Sequence, residues 1–386
     1  MAAYDALERR VRTRLQSVDS DRLRRVLRAP SGIDLSSNDY LGLAQHPALK
    51  AAMAAAVERE GCGSTGSRLL RGERACFAAV ERRFAAFKGT ARALYFSSGY
   101  LANLAVLTTF PEAGDVILSD ALNHASLIDG IRLSGVRRVV FPHLDVGALS
   151  RLMEAHRGAG RTFVVTESLF SMDGDEAPLR QYAELCRATG AHLIVDDAHA
   201  VGVYGQRGSG LVEEAGVDGD VFVSISTAGK ALGVSGAFVT GPEWAIEFLI
   251  QKARPFVFST APPPAIAAAL EASLDIVDGE VDRRARLASR AAHLRRRLAE
   301  HSIRTIPGRS QIVPVIIGDN LRAVELAELL QAAGFDVRAI RPPSVPPGTA
   351  RLRLSVNVGL SEAVLDEFVS ALASAVGQPT CSVASS

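Results

Sequence analysis

Between residues 90 and 240 short apolar runs recur along the chain, most of them separated by stretches with helical spacing. The runs are Ala93–Phe96, Val116–Ser119, Val139–Phe141, Thr162–Glu167, His192–Asp196, Val221–Ser226 and Ala237–Thr240. The stretches between them include His124–Leu133, Asp145–His156 and Leu179–Thr189. Strands alternating with helices predict an α/β fold whose mostly parallel, seven-stranded sheet is covered by helices on both faces. In such a sheet ligands gather at the carboxyl ends of the strands.

A long helical pattern, Pro264–Glu300, follows this region. Beyond it the pattern predicts a smaller α/β unit, with strands near Ile312–Ile317, Asp336–Ile340 and Arg351–Val356 and helices Leu321–Ala333 and Glu362–Val376. At the other end, residues 3–28 read as one or two basic amphipathic helices, with Leu7, Val11, Leu15, Leu23, Val26 and Leu27 as the apolar stripe. The interspersed Asp5, Glu8, Asp19 and Asp21 favour packing on the protein's own body or on a partner over a nucleic-acid or membrane surface. The expected division is an N-terminal helical segment 1–42, a large domain 43–270, a small C-terminal domain 271–378 and a disordered tail 379–386.

Composition removes some function classes. The 386 residues carry 43 Lys+Arg against 42 Asp+Glu, a net charge of +1. A general polyanion binder needs a one-sided excess of cations, so no nucleic-acid partner is expected. The cysteines Cys62, Cys76, Cys186 and Cys381 form no CxxC pair, which suits a reducing cytosol better than a disulfide framework or a zinc site. The N-terminal MAAYDALERRVRTRL lacks the apolar core of a secretory signal. The longest uncharged apolar stretch, Phe256–Leu270, is short and carries three consecutive prolines, so it does not read as a bilayer span. A cytoplasmic protein with no membrane partner is expected.

Only four of the cations are lysines: Lys50, Lys88, Lys230 and Lys252. Lys50 and Lys252 lie in helical stretches and Lys88 ends one before Gly89, so each reads as a surface residue. Lys230 differs, because it is the only charged side chain between Asp220 and Glu243. A cation in so apolar a segment is costly unless it finds an anion or gives up its proton, and a lysine of lowered pKa suits Schiff-base chemistry. The bland alternative is a lysine snorkelling from a strand end. A P-loop is excluded, since Ser224 and Ala231 stand where Gly and Ser/Thr are required. The GCGSTG at Gly61–Gly66 follows a helix-like stretch, the wrong context for a dinucleotide site.

Three further features sit at strand ends. In VDDAHA, Asp196 can pair with a protonated pyridine nitrogen and His199 can bond a ring hydroxyl. Asp196, Asp197 and His199 as metal ligands lack a second His/Cys cluster, so no metal is expected, and a satisfied buried network is the remaining alternative. Ser97–Ser98–Gly99–Tyr100 opens a helix after the strand ALYF, a place where backbone amides bind phosphate, with Thr227 as a further donor. His124 can lie flat on a bound ring, or it can simply cap the helix it precedes.

The segments SNDYLGL (Ser37–Leu43), SSGYLAN, NHASL, LFSMDGD (Leu169–Asp175), VDDAH and STAGKALGVSGA together resemble the α-oxoamine synthase family, over roughly residues 20–375. The resemblance implies pyridoxal 5'-phosphate (PLP) as cofactor and the PLP-dependent transferase fold of type I, which is aspartate-aminotransferase-like. It implies Lys230 as the Schiff-base lysine, Asp196 on the pyridine nitrogen and His124 stacked on the ring. Ser171, His199 and Thr227 would bond the cofactor, with Gly99 and Tyr100 beside it. Arg353 would hold the amino-acid carboxylate, and Arg24, His124 and Ser344 would contact substrate. A homodimer with the active site at the subunit interface is also implied, Ser259 and Thr260 reaching the neighbour's phosphate. The segment Ala339–Leu354 is similar to the branch that acylates L-alanine from pimeloyl-CoA or pimeloyl-acyl carrier protein, with decarboxylation, in biotin biosynthesis. Other branches use glycine or serine with a different acyl-CoA. The chain departs from the family in Ala200, where Gly is usual, in Ser344, where Thr is usual, and in the residues before Lys230.

Overall fold

The computed structural model describes residues 2–20, 23–158 and 160–377. The strands in chain order are β1 (Ile33–Asp34), β2 (Arg92–Phe96), β3 (Val116–Asp120), β4 (Arg137–Phe141), β5 (Thr162–Glu167) and β6 (His192–Asp196). They continue with β7 (Val221–Thr227), β8 (Ala237–Gly241), β9 (Ile312–Gly318), β10 (Phe335–Asp336), β11 (Ala339–Ile340) and β12 (Ala350–Ser355). Seven of them form one sheet in the order β2-β8-β7-β6-β5-β3-β4. β3 to β7 run parallel, and β8 alone is antiparallel to its neighbours β7 and β2. The expected fold class therefore stands, with each apolar run of residues 90–240 becoming one strand of this sheet.

Both faces of the sheet are buried because both parities of its strands are apolar. On one face Phe163, Val165, Ile194, Val223 and Ile225 pack beneath the helices Gly99–Thr109, Ala125–Ser134 and Glu243–Lys252. On the other, Val164, Leu193 and Val195 meet the helices Ala75–Lys88, Val146–Ala155 and Leu179–Thr189. This alternation decides what the strand ends present. Glu167, Asp196 and Thr227 continue the first parity, and Asp197 turns to the second face.

The smaller unit is a three-stranded antiparallel sheet, β11-β12-β9, with the helices Val281–Glu300, Asn320–Ala332 and Glu362–Gly377 beside it. Three expectations need correction. The run Asp336–Ile340 is not one strand: β10 pairs with β1 and β11 with β12, and one straight strand cannot lie in both sheets. The helical pattern of 264–300 breaks at Glu280 into Pro264–Gly279 and Val281–Glu300. The N-terminal helix covers Ala2–Ser20 only, and residues 23–32 are not helical. Val26 and Leu27 are exposed there. The expected tail 379–386 lies outside the described residues. Among the described residues no helix is long and apolar enough to cross a membrane, and no group of His, Cys, Asp and Glu is placed to hold a metal ion.

Candidate active site

Three adjacent parallel strands converge on one place. Glu167 at the end of β5 is the register partner of Asp196 at the end of β6, and Thr227 ends β7 beside them on the same face. After β7 the chain turns tightly, with Ala228 N donating to Gly236 O and Val234 N to Ala228 O, and this turn presents Lys230. Gly236 must be glycine: its φ is +85°, and a Cβ would lie 2.0 Å from the Tyr95 hydroxyl. The helix Gly99–Thr109 opens on the same spot, since a Cβ on Gly99 would lie 3.7 Å from Thr227. The Ser98 side chain caps this helix through Leu101 N, leaving the amides of Gly99 and Tyr100 in a first turn that has no internal acceptors.

Lys230 Nζ lies 2.7 Å from His199 Nε2. His199 is buried, and its Nδ1 lies 2.7 Å from the Tyr40 hydroxyl, which itself donates to Asn38 Oδ1 at 3.0 Å. Because Tyr40 spends its proton on Asn38, His199 carries its own proton on Nδ1 and offers Nε2 as the acceptor for Lys230. Burial, with the Lys230 and Arg353 charges nearby, holds His199 well below the usual imidazole pKa, so it is neutral. No ion pair joins Lys230 to a carboxylate among the described residues. Burial accordingly brings its pKa down to about 8, against the opposing pull of Asp196 and Glu167.

Asp196 accepts from Asn103 Nδ2 at 2.7 Å and from Ala198 N at 3.0 Å. Asn103 also donates to Ser126 Oγ, which lies 2.7 Å from His124 Nδ1. His124 does cap its helix, accepting from Ser126 N at 3.2 Å, and burial lowers its pKa as well. The ring-facing and capping readings are therefore compatible.

From the smaller unit, β12 sends two arginines to the loop after β5. Arg351 pairs with Asp173 at 2.5 Å and donates to Met172 O. Arg353 is buried and donates to Ser171 O, Ser355 Oγ and Tyr40 Oη, but meets no carboxylate among the described residues. The loop is pinned from behind by His143, which bridges Asp120 at 2.8 Å and Asp175 at 3.0 Å.

The structure thus gathers Lys230, Asp196, His199, His124, Thr227, Gly99, Tyr100, Ser171 and Arg353. Arg24 and Ser344 share a different place, a groove of about 870 Å³ lined by Asp19, residues 23–28 and the smaller unit, where Arg24 pairs with Asp19 at 2.7 Å. Thr260 bridges Ser67 in a surface loop beside Ser259, apart from both. Sequence reasoning did not single out Tyr40, Asn103, Ser126 or Glu167. Tyr40, Asn103 and Ser126 lie inside quoted motifs, and Glu167 is an acid ending an apolar run, the signal that drew attention to Asp196. Lys88, expected on the surface, is instead 1% exposed and paired with Asp197 at 2.8 Å.

Residues 30–372 match the family of class I and II aminotransferases. The chain belongs to this family and, within it, to the α-oxoamine synthases. It is 48% identical over 341 residues to the 8-amino-7-oxononanoate synthase of Geobacter sulfurreducens, covering 88% of this chain and 87% of that protein. A serine palmitoyltransferase from Sphingomonas wittichii superposes with a TM-score of 0.87 at 34% identity, over 89% of this chain and 87% of that one. A serine palmitoyltransferase variant from S. paucimobilis with a bound PLP–myriocin aldimine gives a TM-score of 0.89 at 29% identity, over 97% of each chain. The cofactor of this α-oxoamine synthase is PLP, and the residues present fit it. They offer a helix start for phosphate, a buried carboxylate for a ring nitrogen and a lysine with a depressed pKa. Two buried oxygens, Asn103 Oδ1 and Glu167 Oε1, also have no partner among the described residues.

Proposed function

We propose that the enzyme condenses L-alanine with a pimeloyl thioester, giving 8-amino-7-oxononanoate, CO2 and the free thiol in biotin synthesis. The geometric support is one juxtaposition: a lysine amine of lowered proton affinity lies near a buried arginine that has no carboxylate partner among the described residues. The substrate pair rests on the 48% identity to a synthase of that name, against 34% or less for the two serine-using structures. PLP supplies an aldehyde for the amino group and a pyridinium that accepts charge from the α-carbon.

In this reading Arg353 grips the alanine carboxylate through its fixed fork of donors. Lys230, neutral for much of the time near pH 8, takes the α-proton, and His199 holds its amine in place. A bond forms between the α-carbon and the thioester carbonyl while the C–S bond breaks, and the departing thiolate takes a proton from solvent. The bond to the carboxylate then breaks to release CO2, and Lys230 returns a proton to the α-carbon. When PLP is bound, Asp196 would hold its ring nitrogen, His124 would pack against it, and Ser171, His199 and Thr227 would bond it together with the amides of Gly99 and Tyr100. Arg24 and Ser344 contact the acyl substrate.

The protein works as a cytoplasmic homodimer in this proposal, with Ser259 and Thr260 serving the neighbour's phosphate. Support for a dimer comes from Leu70 and Phe258, 82% and 72% exposed, on the two segments that the Ser67–Thr260 bridge joins. The deciding experiment gives the enzyme L-alanine, glycine or serine with pimeloyl-CoA or pimeloyl-acyl carrier protein and weighs the product by mass spectrometry. The 8-amino-7-oxononanoate mass with alanine alone is expected, and a preference for serine or glycine overturns the substrate pair.

A further inference from the structure

Glu167 is the register neighbour of Asp196 on the same face of the sheet. Its side chain is 3% exposed, and its Oε1 has no hydrogen-bond partner among the described residues. The groups facing it are Asp196 on β6, Lys230 after β7 and His124 at a helix start, with Arg353 of β12 beyond Lys230. Asp120 on the neighbouring β3 turns to the opposite face, where it holds His143. Adjacent strands lie only about 4.8 Å apart, so two carboxylates on neighbouring strand ends do not both ionise cheaply in a buried site. Asp196 has the stronger claim to the charge. It accepts from the Asn103 amide and from Ala198 N, whereas Glu167 meets only the backbone amides of His124 and Ser171.

We propose that Glu167 stands in the site as a neutral acid, keeping its proton while Asp196 stays ionised, and so fixes at one the negative charge offered to the cofactor ring. This inference rests on the PLP-enzyme reading and makes Glu167 a positioning residue that acts through Asp196. Burial, reinforced by the Asp196 charge, pushes the Glu167 pKa up to about 8. Below that pH the pair carries one charge; above it a second appears and raises the proton affinity of every base nearby.

The test uses Glu167→Gln, the neutral isostere, and Glu167→Asp, which keeps an acid. In cofactor-free protein, a folded pKa above the unfolded one means that this group's contribution to stability falls as pH rises from about 4.5 to about 8. Glutamine carries no such dependence. The melting temperature of Glu167→Gln relative to wild type should therefore climb across that window and then level, and a pH-independent difference overturns the proposal. Below about pH 8 a neutral acid and a glutamine present the same charge, so in PLP-loaded protein a visible absorbance midpoint in that range should be unchanged in Glu167→Gln; a drop of about one unit, a tenfold loss of proton affinity, marks an ionised Glu167 and overturns the proposal. Glu167→Asp, which keeps an acid, should retain the wild-type pH dependence of the cofactor-free melting temperature. Wild-type protein that stays colourless with PLP defeats the enzyme reading instead, and the cofactor-free melts still decide Glu167.

Discussion

Two lysines enter the interior on opposite sides of the seven-stranded sheet, each beside one of two consecutive aspartates. Lys88 ends a helix on one face and places its ammonium 2.8 Å from Asp197 and 2.6 Å from Ser209 O. Asp197 is completed by Ser168 Oγ and Leu211 N, and the pocket is closed so tightly that a Cβ on Gly210 would lie 1.9 Å from Asp197 Oδ2. Lys230 meets a neutral imidazole instead, because Asn103 and Ala198 already occupy Asp196. A cation in contact with a buried carboxylate is locked as an ion pair. One that is desolvated without such contact becomes a base. The two sites use the same residue types and differ in where the carboxylate's partners come from.

Breaking the catalytic half has the largest effect. Lys230→Ala should lower kcat by about 10³-fold or more and remove the visible band of the lysine-linked cofactor, with far-UV circular dichroism unchanged. Retained turnover would sink the assignment.

Breaking the structural half should show in stability. Lys88→Met leaves the Asp197 charge buried and unpaired, at a cost of about 3–5 kcal/mol. Denaturant unfolding should register that loss, and adding Asp197→Asn should recover much of it. If the double variant is no more stable than Lys88→Met, the pair is not what the pocket is built around.

The smallest effect concerns the loop that carries Ser171. Asp120 and Asp175 outweigh burial and push the His143 pKa up to about 10. A folded value above the unfolded one makes this stabilisation complete below about pH 6.5 and lost as pH rises toward 10. Wild-type melting temperature should fall by a few degrees across that window, and His143→Asn should flatten most of the slope.

Much of this was legible in the chain. Lys230 stood out because no other charge occurs between Asp220 and Glu243, and the sheet was readable because each strand is an apolar run bounded by helical spacing. Lys88 was misread for a physical reason: a lysine before a glycine at a helix end looks the same whether the helix faces solvent or a buried aspartate. Glu167 carried the same local signal as Asp196, an acid closing an apolar strand, but nothing local told that the two strands are neighbours.

The sequence by itself determined the alternation of strands and helices, the fold class they build and the residue types available for chemistry, because periodicity and burial preference are local properties. Only the tertiary structure decided which aspartate holds a lysine and which is held by Asn103, that Arg353 reaches Tyr40 and Ser171, and that Glu167 lies beside Asp196. Each depends on strand order and on the face to which a side chain turns. Both are fixed by packing among residues far apart in the chain, and so is the protonation of every buried group.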